Sequence, residues 1–421
     1  MLWQPSLPDA YLKMTPESLG AAIDARRREL GDAVVILGHH YQTDEVIRHV
    51  DATGDSLKLS QVAARLAGER TALNPVRAVI FCGVHFMAET ADMLTPDGVA
   101  VILPDLSAGC SMADMAQYDD TVEAWDSIHA SLAEGGWRGR VVPVTYVNSS
   151  AAIKAFVGER GGACCTSSNA AAVFRWAMAG GTTPRADGEE IKVLFLPDQH
   201  LGRNTAAAYG IDVAAHSCVY DPRLTRRGRP LGGATPEALR GSSVILWAGH
   251  CSVHKLFRPE HCDAIRAENA ADPGAEPVRI LVHPECAKEV VDRADLAGST
   301  EFIINAVREA PAGSRWAIGT EVHLVTRLGR EAALRGVQVR ILSDCQCLCT
   351  TMFRIDQPHV LWVLDNLAGR FDGRGGVEGK VRIVNQISVH PEVRRLALLA
   401  IDRMLALSAG RPDAARVGTA D

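Results

Sequence analysis

Three cysteines stand where chemistry is done. Cys110, Cys251 and one of the CQCLC group, Cys345, Cys347 or Cys349, each follow a short β-branched run by a few residues. The carboxyl edge of a parallel sheet is where ligand-binding groups gather. Each cysteine also precedes an apparent helix, whose N-terminus would stabilise a thiolate. They lie too far apart in sequence for any local zinc signature. Three thiolates with no obvious fourth ligand suit a [4Fe-4S] cluster with one open iron, because complete four-cysteine ligation is the electron-transfer pattern. An open iron can act as a Lewis acid on substrate oxygen. The competing reading is burial, since a free cysteine packs as a small apolar side chain. Cys82, Cys164, Cys165, Cys218 and Cys262 fit that second reading, and Cys286 fits either. The two spare thiols of CQCLC are able to form a redox pair.

A second set of polar residues lies just beyond other apolar runs: His39, Tyr41, Tyr146, Asn148, His283 and Glu285. Imidazole and carboxylate move protons, and tyrosine donates or accepts hydrogen bonds. Ser56, Ser167 and Thr300 open apparent helices. They read as N-caps or, turned toward a ligand, as anion-binding hydroxyls. His85, Glu89, His200, Arg203, Glu321 and His323 form a supporting tier. His250 and His254 flank Cys251 as orienting groups, and Asp105 and Asp114 read as structural.

Nine apolar runs must position these residues: 33–37, 78–81, 99–103, 141–144, 192–196, 243–247, 278–282, 316–318 and 338–342. Each is short and nearly continuous, as expected of strands covered on both faces. Ala-rich helical stretches such as 56–69 and 168–179 lie between them, which gives an α/β fold. The pattern repeats three times, each block ending in a strand, a loop and a cysteine. His39 and Ser56 are 17 residues apart, as are His283 and Thr300. Repeats are expected over 20–115, over 138–258 with insertions, and over 277–355. A helical extension over 356–408 and a flexible tail over 409–421 follow. Residues 222–237 read as a solvated loop, 267–277 as a linker and 372–379 as a flexible turn.

The chain has 421 residues and a formal net charge of -6, with 47% hydrophobic residues. That length predicts about three domains at roughly 150 residues each. The mild acidity gives no support for nucleic-acid or anionic-membrane binding. No apolar run is long enough to span a bilayer and no secretory signal opens the chain, so the expected location is cytoplasmic. An odd cysteine count there points to ligands or catalysis rather than a disulfide framework.

Taken together, HHYQ (39–42), GDSLKL (54–59), FCGVHFMAETADML (81–94), AGCSMADM (108–115), TYVNSSAAIKA (145–155), TSSNA (166–170), GHCSVH (249–254), HPEC (283–286), AGST (297–300), GTE (319–321) and the Cys349–Met352 spacing resemble quinolinate synthase, in its longer form. The resemblance spans roughly residues 35 to 355. It implies three similar αβα, Rossmann-like domains with parallel sheets and pseudo-threefold symmetry around a central cluster. It implies a transferase of NAD biosynthesis that condenses iminosuccinate with dihydroxyacetone phosphate to quinolinate, phosphate and water. One [4Fe-4S] cluster would be held by Cys110, Cys251 and Cys349, with its open iron as Lewis acid. Iminosuccinate contacts would fall on His39, Ser56, Tyr146, Val147, Asn148, Ser167, His283, Pro284, Glu285 and Thr300. Tyr41 and Glu285, with His283, would handle protons. An aspartate-oxidising enzyme that makes iminosuccinate is the implied partner.

Overall fold

The computed structural model describes residue 4 and residues 6–69, 76–344, 347–370 and 380–408. The expected turn at 372–379, the expected tail at 409–421 and Cys345 lie outside the described residues. Among the described residues, three sheets, parallel in all pairings but one, and 17 α-helices make an α/β fold of Rossmann-like αβα units. The chain divides into two compact units. One comprises Met1–Cys110 with Leu348–His390, the other Ser111–Cys347 with Pro391–Asp421.

The first unit holds one sheet. Its parallel strands are β1 (Val34–His39), β2 (Ala52–Gly54), β3 (Ala78–Cys82) and β4 (Ala100–Ile102). The second unit holds two sheets. One contains β5 (Gly139–Tyr146), β6 (Ala163–Cys165), β7 (Glu190–Leu196), β8 (Ser217–Tyr220) and β9 (Val244–Trp247). The other contains β10 (Val278–Val282), β11 (Leu296–Ala297), β12 (Arg315–Gly319) and β13 (Gln338–Ile341). A last strand, β14 (Gln386–Ile387), pairs antiparallel with β4.

The repeat is visible in strand order. The parallel part of the first sheet runs β4-β3-β1-β2, and the third sheet runs β13-β12-β10-β11. The middle sheet runs β8-β9-β7-β5-β6, the same order with β8 added at an edge. In each, the order reverses beside the first strand, and ligands bind at such switch points outside the strands' carboxyl ends. The predicted runs at 78–81, 192–196 and 278–282 are fully buried apart from Arg279, as strands covered on both faces must be.

Two readings of the connecting segments need correction. Residues 222–237 are mostly solvent-exposed, as expected, but are not one loop. They form the helix Pro222–Thr225, a 3-10 turn at Pro230–Gly233 with Leu231 buried, and the start of the helix Pro236–Gly241. This segment follows β8, and Arg226 is tied to Asp120 at 2.8 Å. Residues 267–277 are not a free linker either. The helix Pro259–Ala271 runs into them, and the Asn269 amide bonds both the N–H and the carbonyl of Val278.

The helix Pro16–Leu30 packs on the helix Gln357–Leu367 in the first unit. In the second, the helix Pro391–Ser408 lies on the helix Ala151–Glu159, and Gly158 makes that contact possible. A Cβ there would sit 2.1 Å from the Leu396 carbonyl. Arg403 fastens the pair by donating to the carbonyls of Gly158 and Gly162.

Candidate functional site

Cys110, Cys251 and Cys349 share one local structure. Each is followed by two turn residues and a 3-10 helix, at Ala113–Met115, His254–Leu256 and Met352–Arg354. In all three, the fifth and sixth residues after the cysteine donate N–H to the carbonyls of the second and third. The residue after each cysteine is an exposed Ser or Thr, and the third and sixth residues are buried. A single 3-10 turn carries little macrodipole, so the expected helix N-terminus behind each thiolate is absent.

Burial separates these thiols from the rest. Among the described cysteines, Cys110, Cys251 and Cys349 are partly exposed and all others are buried. Burial pushes Cys82 and Cys164 up to about 12 and Cys262 up to about 11, so these remain thiols and act as packing. Cys347 is buried, 3.0 Å from the Ser343 hydroxyl.

His39 ends β1, and His283 directly follows β10. They organise identical turns. The Nδ1 of His39 accepts the N–H of Tyr41 at 3.1 Å, and the Nδ1 of His283 accepts that of Glu285 at 3.3 Å. Both histidine carbonyls accept the N–H three residues on, from Gln42 and Cys286, each at 3.0 Å. An Nδ1 that accepts leaves the ring proton on Nε2, so each turn fixes an imidazole as an Nε2–H donor. Tyr41 and Glu285 therefore occupy the same turn position in the first and third sheets.

Glu285 is the hub of the second unit's polar groups. Its Oε2 lies 2.8 Å from His254 Nδ1, and Tyr146, at the end of β5, also hydrogen-bonds to it. The other nitrogen of His254 lies 3.2 Å from the Thr320 hydroxyl. Burial alone would raise the Glu285 carboxyl. The His254 imidazole and the hydrogen bonds from His254 and Tyr146 outweigh it and hold the carboxyl below its usual range. His283 stacks on His254 with ring centroids 4.5 Å apart. Burial and that neighbour lower His283 to about 3, so it is neutral and agrees with its accepting Nδ1. Cys251, His254 and Glu285 place ligating atoms within 4.8 Å of one another.

Around this hub lie buried polar atoms with no described partner: Asn148 Oδ1, Asp198 Oδ2 and His200 Nδ1. Asp198 caps the helix Gln199–Ala208, accepting the N–H groups of His200 and Leu201. Burial and the neighbouring Glu285 charge raise its carboxyl well above the usual range. Burial, with Arg203 and His250, lowers His200 to about 4. Gly249 brings the Cys251 loop against this corner, where a Cβ would meet the Pro197 carbonyl at 2.1 Å. Val147 is buried and its N–H binds the Cys165 carbonyl at 2.8 Å.

The hydroxyls expected as N-caps have neighbours in that role. Asp55 accepts the Lys58 N–H ahead of Ser56, and Ser299 accepts the Phe302 N–H ahead of Thr300. Asn169 precedes the helix Ala170–Met178, leaving Ser167 in the turn before it. Ser56 and Thr300 are buried and Ser167 is half-buried. The sequence pattern missed His254 as the partner of Glu285, and it missed Thr320 and Asp198. The signal for His254 was its place three residues after Cys251, the position filled by Ala113 and Met352 after the other two cysteines.

No helix among the described residues is long and apolar enough to cross a membrane. The family model described as quinolinate synthetase A protein (NadA) matches residues 21–406. A quinolinate synthase of Acidobacterium capsulatum is 50% identical over 398 residues, covering 94% of this chain and 95% of that protein. One from a Nocardioides species is 51% identical over 384 residues, covering 91% and 88%. One from Rhodopirellula baltica is 47% identical over 407 residues, covering 94% and 93%. With its repeated sheets, its matching cysteine turns and these relatives, the chain belongs to the quinolinate synthetase A family.

Proposed function

We propose that this chain condenses iminosuccinate with dihydroxyacetone phosphate to quinolinate, releasing phosphate and water. The observation that carries the reading is the threefold recurrence of one cysteine turn with a half-exposed thiol. Three such sulfurs fit a [4Fe-4S] cluster ligated by Cys110, Cys251 and Cys349. When bound, the cluster supplies a Lewis-acidic iron for a substrate oxygen. The reading takes the three sheets as one αβα unit repeated with pseudo-threefold symmetry, over 20–115, 138–258 and 277–355.

The chain's own residues bind and move protons. His39 and His283 present Nε2–H donors suited to carboxylates, with Ser56, Ser167 and Thr300 as further hydroxyl donors. Asn148 Oδ1, buried without a described partner, accepts from the nitrogen of iminosuccinate. Glu285, ionised between His254 and Tyr146, is the base that takes a proton from the substrate, and Tyr41 is the second proton-handling group. Val147 and Pro284 wall the substrate position. The fully buried Glu285 excludes water from the proton it moves.

Iminosuccinate is a hydrolysable imine, so a nearby aspartate-oxidising enzyme is the expected supplier. The reducing cytoplasm, which keeps thiols free, is the expected location. The test is an anaerobic assay of the reconstituted protein with both substrates. Quinolinate formation that requires both supports the reading. A fully iron-loaded protein that forms none overturns it.

A further inference from the structure

The segment PDQHLGRNT (197–205) lies at the carboxyl end of β7, and the proposed chemistry leaves most of it unused. Its Asn204, on the helix Gln199–Ala208, reaches the turn that carries Glu285. The Asn204 Nδ2 donates to the carbonyl of Pro284 at 2.8 Å and to that of Cys286 at 2.9 Å. These carbonyls belong to the residues on either side of Glu285. One amide group thus gives both of its hydrogens to the carbonyls of the two residues that flank the proposed base.

The helix behind Asn204 is a firm support. Asp198 caps it, and the Gln199 N–H binds the Gly249 carbonyl at 3.0 Å. Gly202 presses it to its sheet, where a Cβ would meet Leu246 at 2.7 Å and Phe195 at 2.8 Å. The turn it holds has no regular ladder of its own; its backbone is tied by the His283 bonds to Glu285 and Cys286, and the Cys286 thiol donates to the Gly319 carbonyl at 3.8 Å. Rotation of the Pro284–Glu285–Cys286 peptides would swing the carboxylate away from His254 and Tyr146.

We propose that Asn204 is a positioning residue for Glu285, holding its turn by a two-carbonyl clamp so that the carboxylate faces the substrate; this rests on Glu285 being the base of the proposed reaction. Asparagine suits the role because it offers two geminal donors. Aspartate has the same shape and none, and serine has one.

The test compares Asn204→Ala, Asn204→Asp and Asn204→Ser in the cluster-loaded protein, each alone and combined with Glu285→Gln. Loss of the clamp lowers kcat by about tenfold to a hundredfold, with KM for both substrates within about threefold and iron content unchanged. Serine falls between wild type and alanine. In the Glu285→Gln background the same changes cost less than about twofold, because the group being positioned is gone. Hydrogen exchange of the Glu285 and Cys286 amides quickens by about tenfold in the alanine variant, whether or not product forms. Equal losses in both backgrounds, a KM effect without a kcat effect, or unchanged exchange overturns the clamp. A Glu285→Gln protein with wild-type kcat overturns the reading of Glu285 itself. A crippled Glu285→Gln beside an indifferent Asn204→Ala overturns the clamp alone.

Discussion

His39 and His283 hold the same turn in two different sheets. In each, Nδ1 accepts the N–H of the residue two further on, at 3.1 and 3.3 Å. The consequence is chemical as well as structural, since each ring is left with its proton on Nε2. Tyr41 and Glu285, the residues whose N–H groups are bound, are the two proposed proton carriers. The fold has used one backbone device twice to present two different acids.

Asparagine and glutamine separate the two jobs of His283. The amide oxygen of asparagine can stand in for Nδ1, and the amide of glutamine reaches the position of Nε2. His283→Asn keeps the turn and stays within about 1 kcal/mol of wild-type stability, while activity falls about tenfold or more. His283→Gln loses the turn and is the less stable of the two. Chemical denaturation and steady-state rates measure both effects.

The neutral state of His283 makes stability depend on pH. An unfolded histidine takes up its proton near 6.5, whereas His283 resists protonation until about 3. Between those values the unfolded chain binds the extra proton, so this contribution to stability is lost as pH falls below 6.5. It amounts to about 2 kcal/mol by pH 5. Asp198 works in the opposite sense, because its raised carboxyl favours the fold below its ionisation and loses that advantage as pH rises. The observable is therefore the difference between wild type and His283→Asn. Wild type loses about 2 kcal/mol relative to His283→Asn between pH 7 and pH 5, so the variant becomes the more stable of the two at pH 5, and a difference that does not change with pH would contradict the buried neutral imidazole.

Thiol exposure predicts reactivity. In cluster-free protein under reducing, anaerobic conditions, a maleimide labels Cys110, Cys251 and Cys349 before Cys82, Cys164 or Cys262, whose thiols burial holds at about 11 to 12. Serine at each of the first three lowers bound iron, and serine at Cys262 leaves it unchanged. Peptide mass spectrometry and iron analysis read the two results.

Gly158 admits no side chain. Gly158→Ala drives a methyl into the Leu396 carbonyl and separates the helices Ala151–Glu159 and Pro391–Ser408. A destabilisation of about 1–3 kcal/mol is expected, with faster exchange along the second helix. Calorimetry checks the first and amide exchange the second.

Much of the fold was legible because it rests on apolar runs. Each of the nine predicted runs is a strand; most are the continuous Val, Ile and Leu of a strand covered on both faces, while β13 is an edge strand with Gln338 and Arg340 exposed. The five missed strands, β2, β6, β8, β11 and β14, lie at sheet edges and are two to four residues long, too short to write a continuous apolar run. The ordered segment at 222–237 was hidden for a related reason. Its Arg, Gly and Pro residues look like a loop, and of its residues just Pro222, Leu231 and Gly232 are buried. The pairing of His254 with Glu285 could not be read from the sequence, because the two lie 31 positions apart and no periodicity links them. Nor could the capping roles of Asp55 and Ser299 be told from those of Ser56 and Thr300, since a one-residue shift at a helix start leaves the local pattern unchanged.

The central claim is a cluster held by three cysteines with one iron left for substrate. The most direct measurement is Mössbauer spectroscopy of protein reconstituted with iron-57, before and after adding quinolinate. The account predicts a single site, about a quarter of the iron, that changes its spectrum when quinolinate binds, while the remainder is unaffected. Four iron sites indifferent to quinolinate, or no cluster signal from a folded protein, would contradict it.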